Sequence, residues 1–407
     1  MDDVEDVFHA EYGRAVSVLI RFLGDIDAAE EAVQDAFTAA VQRWPTTGLP
    51  ASPAGWIVTT ARNRAVDRYR RESTRAQRQA EAALLHAWSQ SVELTEAVEE
   101  CAVHDERLRL VFTCCHPALA APAQVALTLR LLGGLSTPQI ARAFLVPEAT
   151  MAQRLVRAKK KIRDAGIPYR VPHEADLPAR LRGVLAVLYL IYTEGHSASS
   201  GEELVRADLC AEAVRLTRSL AELMPDEPEV LGLLGLLLLS ESRRPARTSV
   251  EGALVPLSEQ DRSLWDRPLI EQGQEVVRSC LRRGRPGPYQ LQAAIAAVHA
   301  DARTAQETDW RQVLALYDHL LSLAPSPVVA LNRAVALAEV QGPAAALAVI
   351  EALELPGYPP RHAVRADLLR RLGRWEQARL AYDQAITTAG NEAQRAFLTR
   401  RRDELEA

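Results

Sequence analysis

Two sets of side chains have the types and spacing to work on a nucleic acid. Trp56, Thr60, Asn63, Asp67 and Arg70 recur at spacings of 4, 3, 4 and 3, which is the repeat of one helix face. Aromatic rings stack on unpaired bases, amides read base edges and guanidinium groups hold phosphates. An Asn inside a helix gives up as much as ~0.7 kcal/mol relative to Ala, so a further role is expected to offset it. On a plain amphipathic helix, Trp56 would instead pack in a core and Asn63 would be solvated. The second set is Gln153, Arg157 and Lys160, flanked by Arg154 and Lys161. Gln can pair with adenine and Arg with guanine in the major groove, while Lys contacts phosphate.

Other reactive clusters are weaker. Cys101, His104, Cys114, Cys115 and His116 could suggest a metal. Adjacent ligands such as Cys114 and Cys115 fit zinc-site spacing poorly, so these thiols are expected to be small core residues and no metal is expected. Glu194-Gly195-His196 could supply an acid/base pair. Beside Arg206 and Asp208 it reads better as a structural polar network or a turn. Glu241, Arg243, Arg244 and Arg247 could hold an anion or a partner, against the plainer expectation of a solvated helix end. No phosphate-cradling glycine loop and no nucleophile elbow occur. Neither a cofactor nor an enzymatic activity is expected.

The first set needs two helices. Ala29, Ala32, Val33, Ala36, Phe37, Ala40, Val41 and Trp44 form an apolar stripe of helical period, opposite Glu30, Glu31, Gln34 and Asp35. Asp25 or Asp27 can cap this helix. The next helix is expected from about Pro53 to Arg71, with Ile57, Val58, Ala61, Ala65 and Tyr69 inward. The second set needs a short helix, a tight turn and a longer basic helix, the pattern of a DNA-binding helix-turn-helix. Val125–Leu132 ends at Gly133-Gly134, and Ser136 or Thr137 caps a short helix with Pro138 in its first turn. Ile140 and Phe144 face inward. Pro147 then opens a long helix whose inward stripe is Met151, Leu155, Ala158 and Ile162.

Composition supports an all-α fold. Aromatics are 5% of the 407 residues, while Ala, Leu, Arg and Glu abound, and no period-2 pattern appears. Hydrophobic and charged fractions of 48% and 25% suit a folded chain of two to four domains. The net charge of -5 does not suggest nucleic acid, but its distribution does. Asp25, Asp27, Glu30, Glu31 and Asp35 precede a basic block of Arg62, Arg64, Arg68, Arg70, Arg71, Arg75 and Arg78. A second block holds Arg154, Arg157, Lys159, Lys160, Lys161, Arg163 and Arg170. Two such blocks inside an acidic chain form a local electrostatic footprint, where a charge run alone would be a solvated face. The acidic N-terminus is unlike an export signal. The longest apolar run, Val230–Leu239, is far short of the ~20 residues that span a bilayer. An odd set of five cysteines fits a reduced cytoplasm.

Beyond the prolines at 168, 172 and 178, the chain is Ala/Leu-rich and helical. Ala366, Gly373, Trp375, Ala378, Tyr382 and Ala385 carry a small–aromatic–small spacing. Looser copies run through Trp310, Val313, Tyr317, Leu320 and Pro325, and through Ala330, Ala334, Gly342 and Leu347. A ~34-residue unit of this kind resembles the tetratricopeptide repeat, in which small residues let two helices approach and aromatics fill the gap.

The strings Ala29-Glu30-Glu31-Ala32-Val33-Gln34-Asp35-Ala36-Phe37, Trp56-Ile57 and Ala61-Arg62-Asn63-Arg64-Ala65-Val66-Asp67-Arg68-Tyr69-Arg70-Arg71 resemble region 2 of extracytoplasmic-function sigma factors. The helix-turn-helix resembles region 4 of that family. Phe112–Leu119, Ala141–Glu148, Tyr192–His196 and Glu241–Arg247 are similar to a subgroup with a tetratricopeptide-like C-terminal extension. The resemblance covers nearly the whole chain. It implies a bacterial, cytoplasmic protein that binds core RNA polymerase and promoter DNA. Glu31, Gln34, Asp35 and Phe37 would bind polymerase. Trp56, Thr60, Asn63, Asp67, Arg70 and Arg71 would read the −10 element. Thr150, Gln153, Arg154, Arg157 and Lys160 would read the −35 element. Glu148 and Ala149 depart from the small residue and Gly common there, which bears on base preference. The implied domains are 1–75 (region 2), 76–100 (linker), 101–170 (region 4), 177–300 (helical extension) and 301–407 (repeats). The extension is expected to contact and regulate the sigma modules. The competing readings are a helix-turn-helix regulator outside polymerase, and a helical enzyme using Glu194 and His196.

Overall fold

The structure is a computed structural model that describes residues 2–72, 106–144, 146–173, 175–198, 204–249, 252–355 and 358–405, with the backbone alone at 2–6, 9–10, 69–72 and 142–143. The expected linker 76–100, and with it Arg75, Arg78, Cys101 and His104, lies outside the described residues, and the side chains of Arg70 and Arg71 are likewise not described. The chain divides into two compact units, residues 1–188 and 189–407. Among the described residues the regular elements are helices, and Thr248 and Leu254 form an isolated β-bridge. Among them no helix is long and apolar enough to cross a membrane.

In the first unit, α1 (Asp2–Leu23), α2 (Ile26–Thr47) and α3 (Pro53–Glu72) pack on one another. Asp25 rather than Asp27 caps α2, accepting from the Ala28 amide at 2.9 Å. This satisfies one of the amides that a helix start leaves without a carbonyl. The stripe of α2 is buried from Ala29 to Trp44, except that Val41 is 54% exposed. Its position places it at the solvent edge of the stripe. Ile57, Ala61 and Ala65 bury α3 against this face.

The same unit continues through α4 (106–114) and α5 (Ala121–Leu127), which runs on into a π-helical turn, Thr128–Leu132. The expected single helix over 125–132 is therefore α5 followed by a wider turn. Gly134 then reverses the chain at φ 73°, where a Cβ would also meet the Phe8 ring at 2.9 Å. A side chain there would be strained and crowded at once. Ser136 starts α6 (Thr137–Ala143) through a reciprocal pair: its amide donates to Gln139 Oε1 at 2.7 Å, and its Oγ accepts from the Gln139 amide at 3.4 Å. This capping box decides between the two expected caps. The helix α7 (Glu148–Asp164) buries Met151, Leu155, Ala158 and Ile162, the expected stripe.

The unit boundary falls inside α8 (Leu177–His196). The second unit continues with α9 (Ala207–Leu223) and α10 (Pro228–Glu241), which packs against α11 (Arg267–Arg282) and α12 (Pro288–Asp301). The apolar run of the sequence lies in α10, where Val230, Leu233, Leu237, Leu238 and Leu239 are buried. A helix apolar on nearly every side belongs inside, and here its neighbours are protein. Then α13 (Trp310–Leu323), α14 (Pro327–Gln341), α15 (Pro343–Ala352), α16 (Pro359–Arg371), α17 (Trp375–Thr388) and α18 (Glu392–Asp403) follow, successive helices packing on each other. Ala366, Ala378, Tyr382 and Ala385 share one core with Ala334 and Leu347. Trp375 differs from expectation: it is 55% exposed rather than filling the gap between helices. Tyr382 is the aromatic that fills it.

The approach of α1 to the π turn is set by Gly13, where a Cβ would come within 2.8 Å of the Leu132 carbonyl oxygen. Gly13→Ala is expected to destabilise the first unit by about 1–3 kcal/mol, the usual range for forcing a methyl into a packed contact. Urea denaturation of the full chain would show it. Wild-type stability would mean that the two elements separate without consequence.

Candidate nucleic-acid interface

The α3 face is assembled largely as its spacing implies. Asn63 and Asp67 are exposed, and Thr60 is half-buried. Trp56 is also half-buried, held edge-on against Trp44 with ring centroids 5.4 Å apart. One side of the indole is thereby fixed by the core, and the ring keeps some accessible surface. Arg64 is exposed. Arg68 turns the other way and pairs with Glu31 at 2.5 Å and Asp35 at 2.8 Å. The expected polymerase-binding residues Glu31 and Asp35 thus share one guanidinium of the following helix. Gln34 is exposed, and its amide donates to Glu30 Oε1 at 3.3 Å. Phe37 is not on that surface. It is 5% exposed and packs with Phe8 at 4.9 Å and Tyr12 at 6.2 Å. Its place in the apolar stripe prevails, and its contribution is to hold α2 on α1.

Glu30 also leaves the polar face expected for it. It is 5% exposed and accepts from Arg130 on the π turn through Oε1. Its Oε2 lies 2.7 Å from Lys159 Nζ on α7, and the same ammonium reaches Asp27 at 2.8 Å. Arg163 adds a contact to Asp27 at 3.3 Å. Burial opposes the charge on Lys159, but Glu30 and Asp27 outweigh it and hold its pKa above the usual lysine value. A second tie joins α1 to the later helices: Arg21 meets the buried Glu106 at 3.0 Å, and the Tyr169 hydroxyl donates to the Ser17 carbonyl at 2.9 Å.

These pairs divide the second basic block. Lys159 and Arg163 face α2. Thr150, Gln153, Arg157 and Lys160 are exposed on α7, and Arg154 is half-buried. Among the described residues no ion pair engages Gln153, Arg154, Arg157 or Lys160. The outward row therefore lies along the accessible face of the longer helix, outside the ion pairs of its inner face. Residue type alone could not separate Lys159 from Lys160. The inward phase of Met151, Leu155, Ala158 and Ile162, which brackets position 159, was the available signal. Glu30, Arg130 and Lys159 were not anticipated as a docking set, because no sequence pattern pairs residues so far apart.

The remaining candidates take structural roles. Cys114 and Cys115 are free and buried, and burial pushes the Cys115 thiol up to about 12, which disfavours the thiolate that a metal requires. The His116 ring accepts from the Ala118 amide at 3.2 Å in a turn. Among the described residues no group of three or more metal-ligating side chains occurs. Glu194 pairs with Arg206 at 3.7 Å, and the Gly195 carbonyl accepts from the Arg206 amide at 2.7 Å. His196 stacks on Tyr192 at 5.3 Å, and burial with Arg247 and Arg243 nearby lowers its pKa to about 2. A ring kept neutral this way makes a poor general acid/base near neutral pH.

Comparison with known proteins gives three family matches and several relatives. Residues 7–75 match the family Sigma-70 region 2, residues 109–162 match Sigma-70, region 4, and residues 180–281 match a family of unknown function, DUF6596. The chain is similar to an uncharacterised protein of Rhizobium meliloti (strain 1021), with 46% identity over 396 residues, 97% of this chain and 94% of that one. It is similar to ECF RNA polymerase sigma factor SigK of Mycobacterium sp. (strain KMS), with 30% identity over 158 residues, 37% of this chain and 78% of that one. It is also similar to the Mycobacterium tuberculosis (strain ATCC 25618 / H37Rv) protein named Probable ECF RNA polymerase sigma factor SigI, with 27% identity over 218 residues, 51% of this chain and 74% of that one.

Glu30→Ala would leave Arg130 and Lys159 without their shared carboxylate. Breaking a buried pair from one side typically costs about 3–5 kcal/mol. The full chain is expected to lose that much stability in its first urea transition. A loss below about 1 kcal/mol would show instead that solvent screens the cluster.

Proposed function

The chain belongs to the ECF RNA polymerase sigma factors, and we propose that α2 and α3 bind core polymerase and read the −10 element while α7 reads the −35 element. As a sigma factor it directs transcription initiation, and the bond-making chemistry remains with polymerase. The observation that carries the assignment of α7 is its split of cations, with Lys159 and Arg163 used internally and Gln153, Arg154, Arg157 and Lys160 turned outward. On this reading Thr150, Gln153, Arg154 and Arg157 contact base edges and Lys160 contacts phosphate. Trp56 and Asn63 capture an unpaired base, helped by Thr60, Asp67, Arg70 and Arg71. Glu31, Gln34 and Asp35 meet polymerase, with Phe37 supporting them from beneath.

Distance then requires the two modules to part. The two promoter elements lie about 25 base pairs apart, roughly 85 Å of duplex. A compact unit of residues 1–188 measures roughly 40 Å across. Both faces reach their elements together only after α7 leaves α2, which breaks the contacts of Glu30 and Asp27 to Lys159. The docked arrangement is then the state of the free factor.

The extension is proposed to act on these modules by contact and in the positive sense. Supporting this are its size, its amphipathic helical pairs and the position of both basic blocks, 62–78 and 154–170, outside it. Tetratricopeptide-like stacking would give it a concave surface of the kind that holds peptides or domains. In run-off transcription with core polymerase, a chain ending at Leu188 is expected to be less active than the full chain at equal folded concentration. Equal activity would remove the coupling, and higher activity would mean that the extension masks Trp56 or Arg157.

Asn63→Ala is expected to impair promoter opening more than closed-complex formation, by about 1–3 kcal/mol. Permanganate footprinting of the −10 region reads this directly. Unchanged reactivity would remove Asn63 from the base-reading set.

A further inference from the structure

On α7, Val156, Lys160 and Arg163 follow at steps of four and three. They share a flank beside the outward row of Gln153, Arg157 and Lys160. That flank borders a cleft of about 240 Å³, lined by Asp27 from the first turn of α2 and by Val156, Lys160, Arg163 and Asp164 from α7.

Asp27 is the anion of the cleft that does not belong to α7. Its two carboxylate oxygens meet two cations: Oδ1 accepts from Lys159 Nζ at 2.8 Å and Oδ2 from Arg163 Nη2 at 3.3 Å. The start of α2 does not depend on it, because Asp25 is the residue that caps this helix. Neither does the core, since the side chains of Asp27 and Arg163 are 53% and 62% exposed. Glu30, the other partner of Lys159, is buried and also holds Arg130. What Asp27 brings to the cleft is an oxyanion seated between two cations.

The charge of the cleft depends on docking. With α2 in place, Lys159, Lys160 and Arg163 are balanced by Asp27, Glu30 and Asp164. When α2 leaves, Asp27 and Glu30 leave with it, and the three cations face Asp164 alone. A helix seated in the major groove with one row against the bases turns its flanks toward the phosphate backbones. A phosphodiester, like a carboxylate, offers two oxygens that share one negative charge, and it accepts the same charge-assisted hydrogen bonds from Lys and Arg.

We propose that this flank is a phosphate site of the promoter-bound factor, in which Lys159, Lys160 and Arg163 take a backbone phosphate of the −35 duplex, and that Asp27 occupies the same place while the modules are docked. The proposal rests on the assignment of α7 to DNA. It adds to that assignment two cations, Lys159 and Arg163, that the docked contacts occupy, and it makes docking and full −35 binding exclusive at one carboxylate.

The test is fluorescence anisotropy of a labelled DNA duplex of arbitrary sequence, titrated with the full chain over a series of salt concentrations, because phosphate contacts are made whatever the sequence. Asp27→Asn is expected to bind roughly two- to fivefold tighter than wild type, the change that corresponds to a competing solvent-exposed ion pair. Arg163→Gln is expected to bind more weakly and to reduce the slope of log affinity against log salt by about one. In the Arg163→Gln background the gain from Asp27→Asn should shrink, because the two side chains act at one place. Asp176→Asn removes an exposed carboxylate outside the cleft and should not reproduce the gain. Affinity no higher than wild type in Asp27→Asn overturns the proposal, as does an unchanged salt slope in Arg163→Gln or an equal gain from Asp27→Asn in both backgrounds. An equal gain from Asp176→Asn would assign the effect to net charge and overturn it too. Arg157→Gln tests the assignment of α7 separately. If it weakens binding and Arg163→Gln does not, the proposal alone fails; if neither weakens binding, α7 does not hold the duplex and the assignment fails as well.

Discussion

A single carboxylate organises the first unit. Glu30 is buried between Arg130 on the π turn and Lys159 on α7, so one side chain of α2 meets both parts of the helix-turn-helix module. The groups are matched in charge and in reach, which lets a buried ionic cluster persist despite the desolvation it entails. Everything else in the unit fits around that contact. Gly13 lets α1 approach the same π turn, Gly134 turns the chain away beneath Phe8, and Ser136 then restarts it as α6.

The cluster also sets which cations of α7 stay outside the docked face. A basic helix has more positive groups than a docked face can use. Lys159 and Arg163 are taken by Asp27 and Glu30, one helical turn apart, and the row from Gln153 through Arg157 to Lys160 is left outward. An intramolecular contact and the face proposed to read DNA thus share one helix, separated by its 3.6-residue period. Ionic docking of this kind is reversible in a way that an apolar interface of equal area is not, since water and phosphate can replace each partner. That suits the proposed parting of the two modules on a promoter.

The second unit relies on different physics. Its helices meet through small residues: Ala334, Ala346, Ala366, Ala378 and Ala385 are all buried, with Tyr382 filling between them. At Gly232 a Cβ would come within 2.7 Å of the Gln290 amide nitrogen, so α10 and α12 touch nearly backbone to backbone. Packing this close leaves little room for unsatisfied polar groups.

Local patterns determined much of this protein. The helical stripes of α2, α3 and α7 and the outward set Gln153, Arg157 and Lys160 follow from residue spacing, because a helix repeats every 3.6 residues whatever surrounds it. The order of the motif strings was enough to reach the sigma-factor family. Only the tertiary structure decided which polar residues became internal. Glu30 and Glu31 are neighbours of one type, yet one is buried against Arg130 and Lys159 and the other pairs with Arg68. Phe37 belongs to the core rather than to a surface, Trp375 stands in solvent, and Arg243 sits over Trp265 rather than at a solvated helix end. Each of these outcomes depends on a partner distant in sequence, and charge or aromatic type at one position carries no information about which distant residue the fold will bring to it.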